Sequence, residues 1–394
     1  MIQTKQLRRL YEAAERDRNT KRFFHDFNRA LESKQITTSD ISIRSLFEEF
    51  VPDGRELVDS YNPRHGGGDG TELMETAAVV ASSAFAKITG QITYSATMEA
   101  FAAETAIFSP LVKTIPTQFS GERIAGITRT GDAALTVDEG HPYPTAGVAQ
   151  DYIDTPQTTK KGIIVPITKE ALFFDRTYLI QKRCEEVGSQ LGINKEKRII
   201  DCVIDENVTT HRYKWRDNVI ATYGDNSGTH TWDNLQATNA LVDWTDIENA
   251  WLLFASMTDP NTGEPINIMP KHIVVTPQLL FTAKRIVNAT EITVTTPGYA
   301  TSANPTQTSA TNPVSGYTVV SSAQLAARMA TDTSWFLGDL SKAFAYMENW
   351  PISVVQAPAN SEAEFTSDIV MRFKASERGA AATLEPRFMV KSTA

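Results

Sequence analysis

At 394 residues, 41% of them apolar, the chain has material for two or three domains with cores of their own. Its net charge of -9 argues against a general affinity for nucleic acid. No apolar run approaches the roughly 18 residues of a membrane span, and the charged N-terminus excludes a signal peptide, so the chain is expected to fold in a cytoplasm.

The charge is uneven. Residues 1–34 hold nine Lys or Arg against five Asp or Glu, a balance of +4 that leaves -13 for the rest. Leu7, Leu10, Tyr11 and Ala14, then Phe24, Phe27 and Leu31, recur at helical spacing and predict two amphipathic helices broken near Asp17 to Thr20. Arg8, Arg9, Arg16, Arg18, Lys21 and Arg22 give this segment a basic face, which is either solvated or touches DNA weakly and without sequence preference. Helices of this pattern need a partner surface. Leu46, Phe47, Phe50 and Val51 form a short apolar cluster, and Pro63 with the glycine run at Gly66 reads as a flexible joint, so residues 1–70 are taken as an arm. Residues 72–108, rich in Ala, favour helix with a break at Gly90.

Residues 117–166 read as a two-stranded ribbon. Its arms are Arg123 to Thr130 and Lys160 to Val165, and polar Gly131 to Thr159 lies between them. So bare a strand pair is marginal alone and must lie on another surface, including that of another chain. Its aromatics Phe119, Tyr143 and Tyr152 are candidate anchors between subunits or packing residues within their own.

Thr168, after Pro166, is placed to cap a helix, and a longer one runs from Arg176 to Asn207, about 48 Å if unbroken. Ile180, Cys184, Val187 and Leu191 form its apolar stripe. Cys184 and Cys202, about 27 Å apart on a straight helix, cannot pair. Gly188 and Gly192 each weaken it by about 1 kcal/mol relative to Ala, which is tolerated where something packs closely against that face.

A polar stretch containing Trp215 and Trp232 follows, and then an alternation typical of an α/β unit. Thr245 and Glu248 have capping-box spacing, and Ile247, Ala250, Trp251, Phe254 and Met257 share a stripe. Asp259 to Pro265 is a turn and Ile273 to Thr276 a strand. Pro277 opens a helix with Leu280, Ala283 and Val287, and residues 296–313 are an exposed loop. Tyr317 to Val320 is a strand, Ala323 to Met329 a helix, and Trp335 to Gly338 closes the unit. Alternation at Ile369, Met371, Phe373 and Ala375, and again at Leu384, Pro386, Phe388 and Val390, predicts an antiparallel sheet with one buried face.

Chemistry leaves no trace. The six histidines at 25, 65, 141, 211, 230 and 272 stand singly, and no cysteine pair has zinc spacing. The Gly66 run lacks the Lys-Ser/Thr ending of a phosphate loop. Gly224-Asp225-Asn226-Ser227-Gly228 misplaces its Ser for a nucleophile elbow. No catalytic, cofactor-binding or metal-binding residue is assigned, and no cofactor is expected, which shifts the reading towards a structural role.

The order of arm, ribbon, long helix, α/β unit and closing sheet resembles the major capsid proteins of tailed bacteriophages, the HK97-type fold. Val165-Pro166-Ile167-Thr168-Lys169-Glu170-Ala171-Leu172 is similar to that family's junction of extended loop and spine helix. Trp335-Phe336-Leu337-Gly338-Asp339, Ala343-Phe344-Ala345-Tyr346, Asp368-Ile369-Val370-Met371-Arg372, Glu377-Arg378-Gly379 and Leu384-Glu385-Pro386 are similar to its C-terminal passage. The resemblance covers roughly residues 72–394. It implies an α+β fold in six parts: an N-terminal helical arm (1–70), a peripheral domain beginning at 71–116, an extended E-loop (117–166), the peripheral domain with its spine helix (167–239), an axial domain (240–340) and a closing peripheral sheet (341–394). It also implies pentamers and hexamers in an icosahedral shell around double-stranded DNA, built in a host cytoplasm, with portal, scaffolding or decoration proteins as partners and no membrane. Gln356 to Asp368 would be a tip near threefold contacts, with Asn360 and Phe365 among the contact residues. Some family members cross-link an E-loop lysine to an asparagine in that tip, but residues 133–159 contain no lysine, and Lys160 and Lys161 sit at the base. The alternatives are an encapsulin-like cellular compartment and, from another class, a soluble α/β enzyme or nucleic-acid-binding protein.

Overall fold

The computed structural model describes residues 4–37, 41–51, 54–55, 83–103, 107–126, 136–139, 152–168, 174, 177–206, 212–215, 217–228, 230–259, 263–296, 306–356 and 369–394. The chain begins with α1 (Thr4–Arg16) and α2 (Thr20–Glu32), separated where Arg18 adopts φ 53°. α3 (Ile43–Phe50) is capped by Ser42, whose hydroxyl accepts the Ser45 N–H at 3.2 Å. α4 (Ser83–Ala103) runs through Gly90 without the expected break, because Ile88, Ile92 and Ala96 on its buried face outweigh one glycine.

The extended region is paired differently from the ribbon expected. β1 (Lys113–Pro116) leads to β2 (Arg123–Ala125), whose partner is β3 (Tyr152–Asp154), with Ile124 opposite Ile153. Thr155 fixes that pairing, since its hydroxyl accepts the Glu122 N–H at 2.8 Å. The stretch from Lys160 to Val165, expected opposite Arg123, lies instead in β4 (Thr159–Thr168), beside β14 (Ile369–Thr383). Thr168 therefore ends a strand, and the helix it was expected to cap falls outside the described residues.

α5 (Thr177–Ile204) is the long helix, 28 residues and about 42 Å, slightly shorter than its apolar pattern suggested. β5 (Tyr213–Trp215) and β6 (Asn218–Ile220) add to β2 and β3 to make a four-stranded sheet in the order β2-β3-β5-β6. β7 (Leu235–Gln236) precedes α6 (Trp244–Ala255). The capping box of α6 is made by Asp243 and Asp246, not Thr245 and Glu248: Asp243 Oδ1 accepts the Thr245 N–H at 2.8 Å, and Asp246 Oδ2 accepts the Asp243 N–H at 2.9 Å.

β8 (His272–Val275) and α7 (Leu280–Asn288) follow as the pattern indicates. Part of the expected loop at 296–313 is a hairpin of β9 (Glu291–Thr296) and β10 (Thr306–Thr311), whose threonines suit strands despite their low apolar content. Asn312 anchors it, its amide donating to the carbonyls of Ile286 (2.7 Å) and Ala289 (2.8 Å) at the end of α7. β11 (Thr318–Ser321), α8 (Ala323–Ala326), β12 (Trp335–Gly338), α9 (Leu340–Ala343) and β13 (Phe344–Gln356) lead to β14. Pro386–Phe388 forms a 3₁₀ turn where alternation predicted strand, since Pro386 cannot donate to a ladder. The final strand, β15 (Met389–Ser392), joins the α/β sheet β11-β8-β12-β15-β7, so the last 54 residues do not make one closing sheet by themselves.

Two compact units result, and their boundaries fall inside α5, β13 and β14. Unit 1 comprises Met1–Ala106, Lys160–Asn194 and Trp350–Arg378. Its core joins Leu7, Phe27 and Leu31 from the first two helices to Ile88 and Ile92 of α4, to Ile180, Cys184, Val187 and Leu191 of α5, and to Phe373. The partner surface demanded by the N-terminal stripes is thus in the same chain. Unit 2 comprises Ile107–Thr159, Lys195–Asn349 and Gly379–Ala394, and its core is built on Ile273, Val274, Phe336, Leu337 and Val390 of the five-stranded sheet.

Candidate functional site

The groups that could do chemistry are engaged in holding the fold. Burial pushes the thiols of Cys184 and Cys202 up to about 12, well out of nucleophilic range. His230 places Nε2 2.6 Å from the Ala221 carbonyl and its ring edge-on to Trp232. Arg387 pairs with Glu385 at 3.1 Å and lies over the Trp232 ring. In the Gly224–Gly228 run, the Ser227 hydroxyl donates to Asp225, and Asp259 closes its turn through its N–H to the Glu264 carbonyl at 2.8 Å. Among the described residues no three His, Cys, Asp or Glu side chains come together as metal ligands.

What remains is surface. Phe119 is 65% exposed and is held out on a rigid turn. Thr117 Oγ1 accepts the Phe119 N–H at 3.1 Å, and the Asn349 amide donates to the carbonyls of Thr117 (3.0 Å) and Phe119 (2.9 Å). Tyr152 differs: Arg123 lies 4.3 Å from its ring centre, and its hydroxyl donates to Asp217 Oδ2 at 2.8 Å. That hydrogen bond to Asp217 raises the Tyr152 pKa, so the phenol stays neutral. Both its ring and its hydroxyl already have partners in this chain, whereas the ring of Phe119 is largely bare. Tyr143, Asn360 and Phe365 lie outside the described residues.

The basic side chains Arg8, Arg9, Arg16, Arg18, Lys21 and Arg22 all lie exposed on α1, α2 and their connection, opposite the buried stripe. Arg8 pairs with Glu12 (2.9 Å) and Glu49 (3.7 Å), and Arg22 with Asp26 (3.8 Å). Arg9, Arg16, Arg18 and Lys21 make no ion pair with a described residue, and neither does exposed Arg29 further along α2, so the unpaired positive charge of these helices lies on these five. Lys21 also rims an open groove of about 490 Å³ floored by Phe24, Tyr94 and Phe373.

Sequence reasoning missed several apolar surfaces. Ile163 and Ile164 are exposed in β4. Trp251, assigned to the buried stripe of α6, is 40% exposed beside Leu252, and Phe281 at the start of α7 is 80% exposed. Phe281 carried a signal in the sequence: it is an aromatic off the stripe of Leu280, Ala283 and Val287 and next to Lys284 and Arg285.

A family model described as phage capsid protein matches residues 152–392, from β3 to β15. Comparison with curated protein sequences finds no match. Among solved structures, the chain is similar to the capsid of an empty GTA particle at 10% identity, over 73% of this chain and 89% of that one, with a TM-score of 0.45. It is similar to a chain of Mycobacterium phage Bobi at 12% identity, over 74% and 91%, with a TM-score of 0.43. The capsid of cyanophage P-SCSP1u is similar at 15% identity, over 74% and 89%, with a TM-score of 0.42.

Proposed function

The chain belongs to the phage capsid protein family, and from that premise we propose that its copies close, as pentamers and hexamers, into the icosahedral head of a tailed phage around double-stranded DNA. It is a structural protein, a major capsid protein of HK97-type α+β fold, and its work is geometric. The family match over residues 152–392 carries this reading. In it, residues 117–166 are the E-loop that reaches a neighbouring subunit, with Phe119, Tyr143 and Tyr152 as its aromatic contacts. Residues 167–239 hold the spine helix, 240–340 form the axial domain, and 71–116 with 341–394 complete the peripheral domain, whose tip includes Asn360 and Phe365. Exposed Phe119, Ile163 and Ile164 support the role of residues 117–166, since apolar side chains held out in water are stabilised when a second copy covers them.

The N-terminal helices of residues 1–70 line the interior, where Arg9, Arg16, Arg18 and Lys21, with Arg8 and Arg22 beside them, touch phosphate without reading sequence. Assembly takes place in the host cytoplasm, with portal, scaffolding or decoration proteins joining the shell. Electron microscopy of the purified chain tests the reading. Closed shells with fivefold vertices are expected, and a chain that stays monomeric at high concentration across salt conditions would overturn it.

A further inference from the structure

The five-stranded sheet of unit 2 carries two helices over neighbouring pairs of strands. α7 packs against β11 and β8, and α6 against β12 and β15. Each helix leaves an apolar face in water, and the two faces carry opposite charge. On α6, Glu248, Trp251 and Leu252 are exposed together, Leu252 to 54%, with Val242 just before the helix at 66%. Residues 240–258 contain Asp243, Asp246 and Glu248 and no lysine or arginine. On α7, Phe281 shares its face with Lys284 and Arg285, three and four residues on, and residues 278–290 contain those two bases and no acid. Glu248, Lys284 and Arg285 form no ion pair with any described residue.

A twofold axis through either patch would set it against its own kind, acid on acid or base on base, and a twofold that paired unlike patches would stop at a dimer. A head-to-tail contact sets acid on base, and repeated by rotation it closes a ring. We propose that the α6 face of one copy docks on the α7 face of the next, with Phe281 entering beside Trp251 and Leu252 and with Glu248 facing Lys284 and Arg285. The partner is a second copy of this chain, and the inference rests on the shell-building reading.

Charge reversal and cysteine pairing test it on the full chain. Glu248→Lys alone, or Lys284→Glu with Arg285→Glu, should raise the protein concentration needed for assembly about tenfold or more, and combining all three should restore it. In the wild-type background, Leu252→Cys with Phe281→Cys and a short bis-maleimide should give a ladder of cross-linked oligomers in assembled particles. Either cysteine alone should give none, and buried Cys184 and Cys202 add little background. Shells that form normally but yield no ladder overturn the docking alone, as do cross-linked dimers from a single cysteine or folded charge variants with an unchanged threshold. The ladder decides even where a charge variant fails to fold. A wild-type chain that never assembles overturns the shell reading, and the docking falls with it.

Discussion

Replacing Gly188 by alanine probes the closest approach in unit 1. A methyl group there would stand 2.2 Å from the Thr97 carbonyl oxygen, 3.0 Å from its carbon and 3.2 Å from the Phe101 nitrogen, so α4 and α5 meet backbone to backbone. Reaching van der Waals distance requires the helices to part by roughly 1 Å, and a gap of that size forfeits about a quarter to a half of each contact across it. The residues that lose contact are Ile92 and Ala96 on one side and Cys184, Val187 and Leu191 on the other, all members of one core. Alanine gains about 1 kcal/mol in helix propensity over glycine. Overpacking costs about 1–3 kcal/mol, at the upper end here because all three obstructing atoms belong to the backbone and none can rotate aside. The expected net is a loss of about 1–2 kcal/mol, which hydrogen exchange on the unassembled chain reads as roughly tenfold weaker protection of α4 and of the first part of α5. Thr97→Ala in the same chain should not restore it, since the obstruction is the backbone. Protection equal to or above wild type, as at an ordinary solvent-facing helical glycine, would refute the packing argument.

Four further outcomes are expected. Glu196 is buried and accepts the N–H groups of Ile107 (3.0 Å), Phe108 and Ser109 (3.1 Å), so Glu196→Ala should cost about 2–5 kcal/mol in denaturant unfolding, the buried Phe108 donor contributing most. Burial holds the carboxyls of Glu196 and Asp205 above their ordinary range, so the folded chain binds those protons more tightly than the unfolded one. Their contribution is therefore full below about pH 4 and is lost as pH rises through the raised values; Glu196→Gln should flatten that decline in urea titrations at successive pH, leaving the part due to Asp205. Boiling assembled particles in SDS should return a single band near 43.5 kDa, because residues 133–159 offer no lysine for a cross-link, and a ladder of higher bands would contradict this. Changing Arg9, Arg16, Arg18 and Lys21 to glutamine should leave the circular dichroism spectrum unaltered, since all four are exposed, while lowering the DNA content of particles measured by absorbance.

Elements with strong periodicity were legible in the sequence, and pairings were not. The stripe of α5 is buried as read, and the demand of Gly188 for a close neighbour is met by Thr97. The partner of β2 could not be read, because the choice of Tyr152–Asp154 over Lys160–Val165 rests on contacts between residues far apart in sequence: the Thr155 hydroxyl on the Glu122 N–H, the pair of Arg123 and Asp154, and the seat of β3 on β5. Trp251 adjoins Ala250 and Ile247 on the helical wheel yet lies 40% exposed, since periodicity does not say where a stripe ends. The β9–β10 hairpin hid in threonines and serines whose apolar content is that of a loop. The N-terminal stripes announced a partner without identifying it, since contacts between α1, α2 and the later helices are fixed only by the whole core.

Each of the two cores is assembled from three separate stretches, and the last stretch of each lies beyond residue 349. A ribosome adding about 5–20 residues per second emits the chain over roughly 20–80 s, and for most of that time neither core can close. The first helices emerge with Phe27 and Leu31 uncovered long before Phe373 exists to meet them. Such a nascent chain is a natural client for holding chaperones, and loss of its final 50 residues by a premature stop would leave two incomplete interiors instead of one intact domain and one missing.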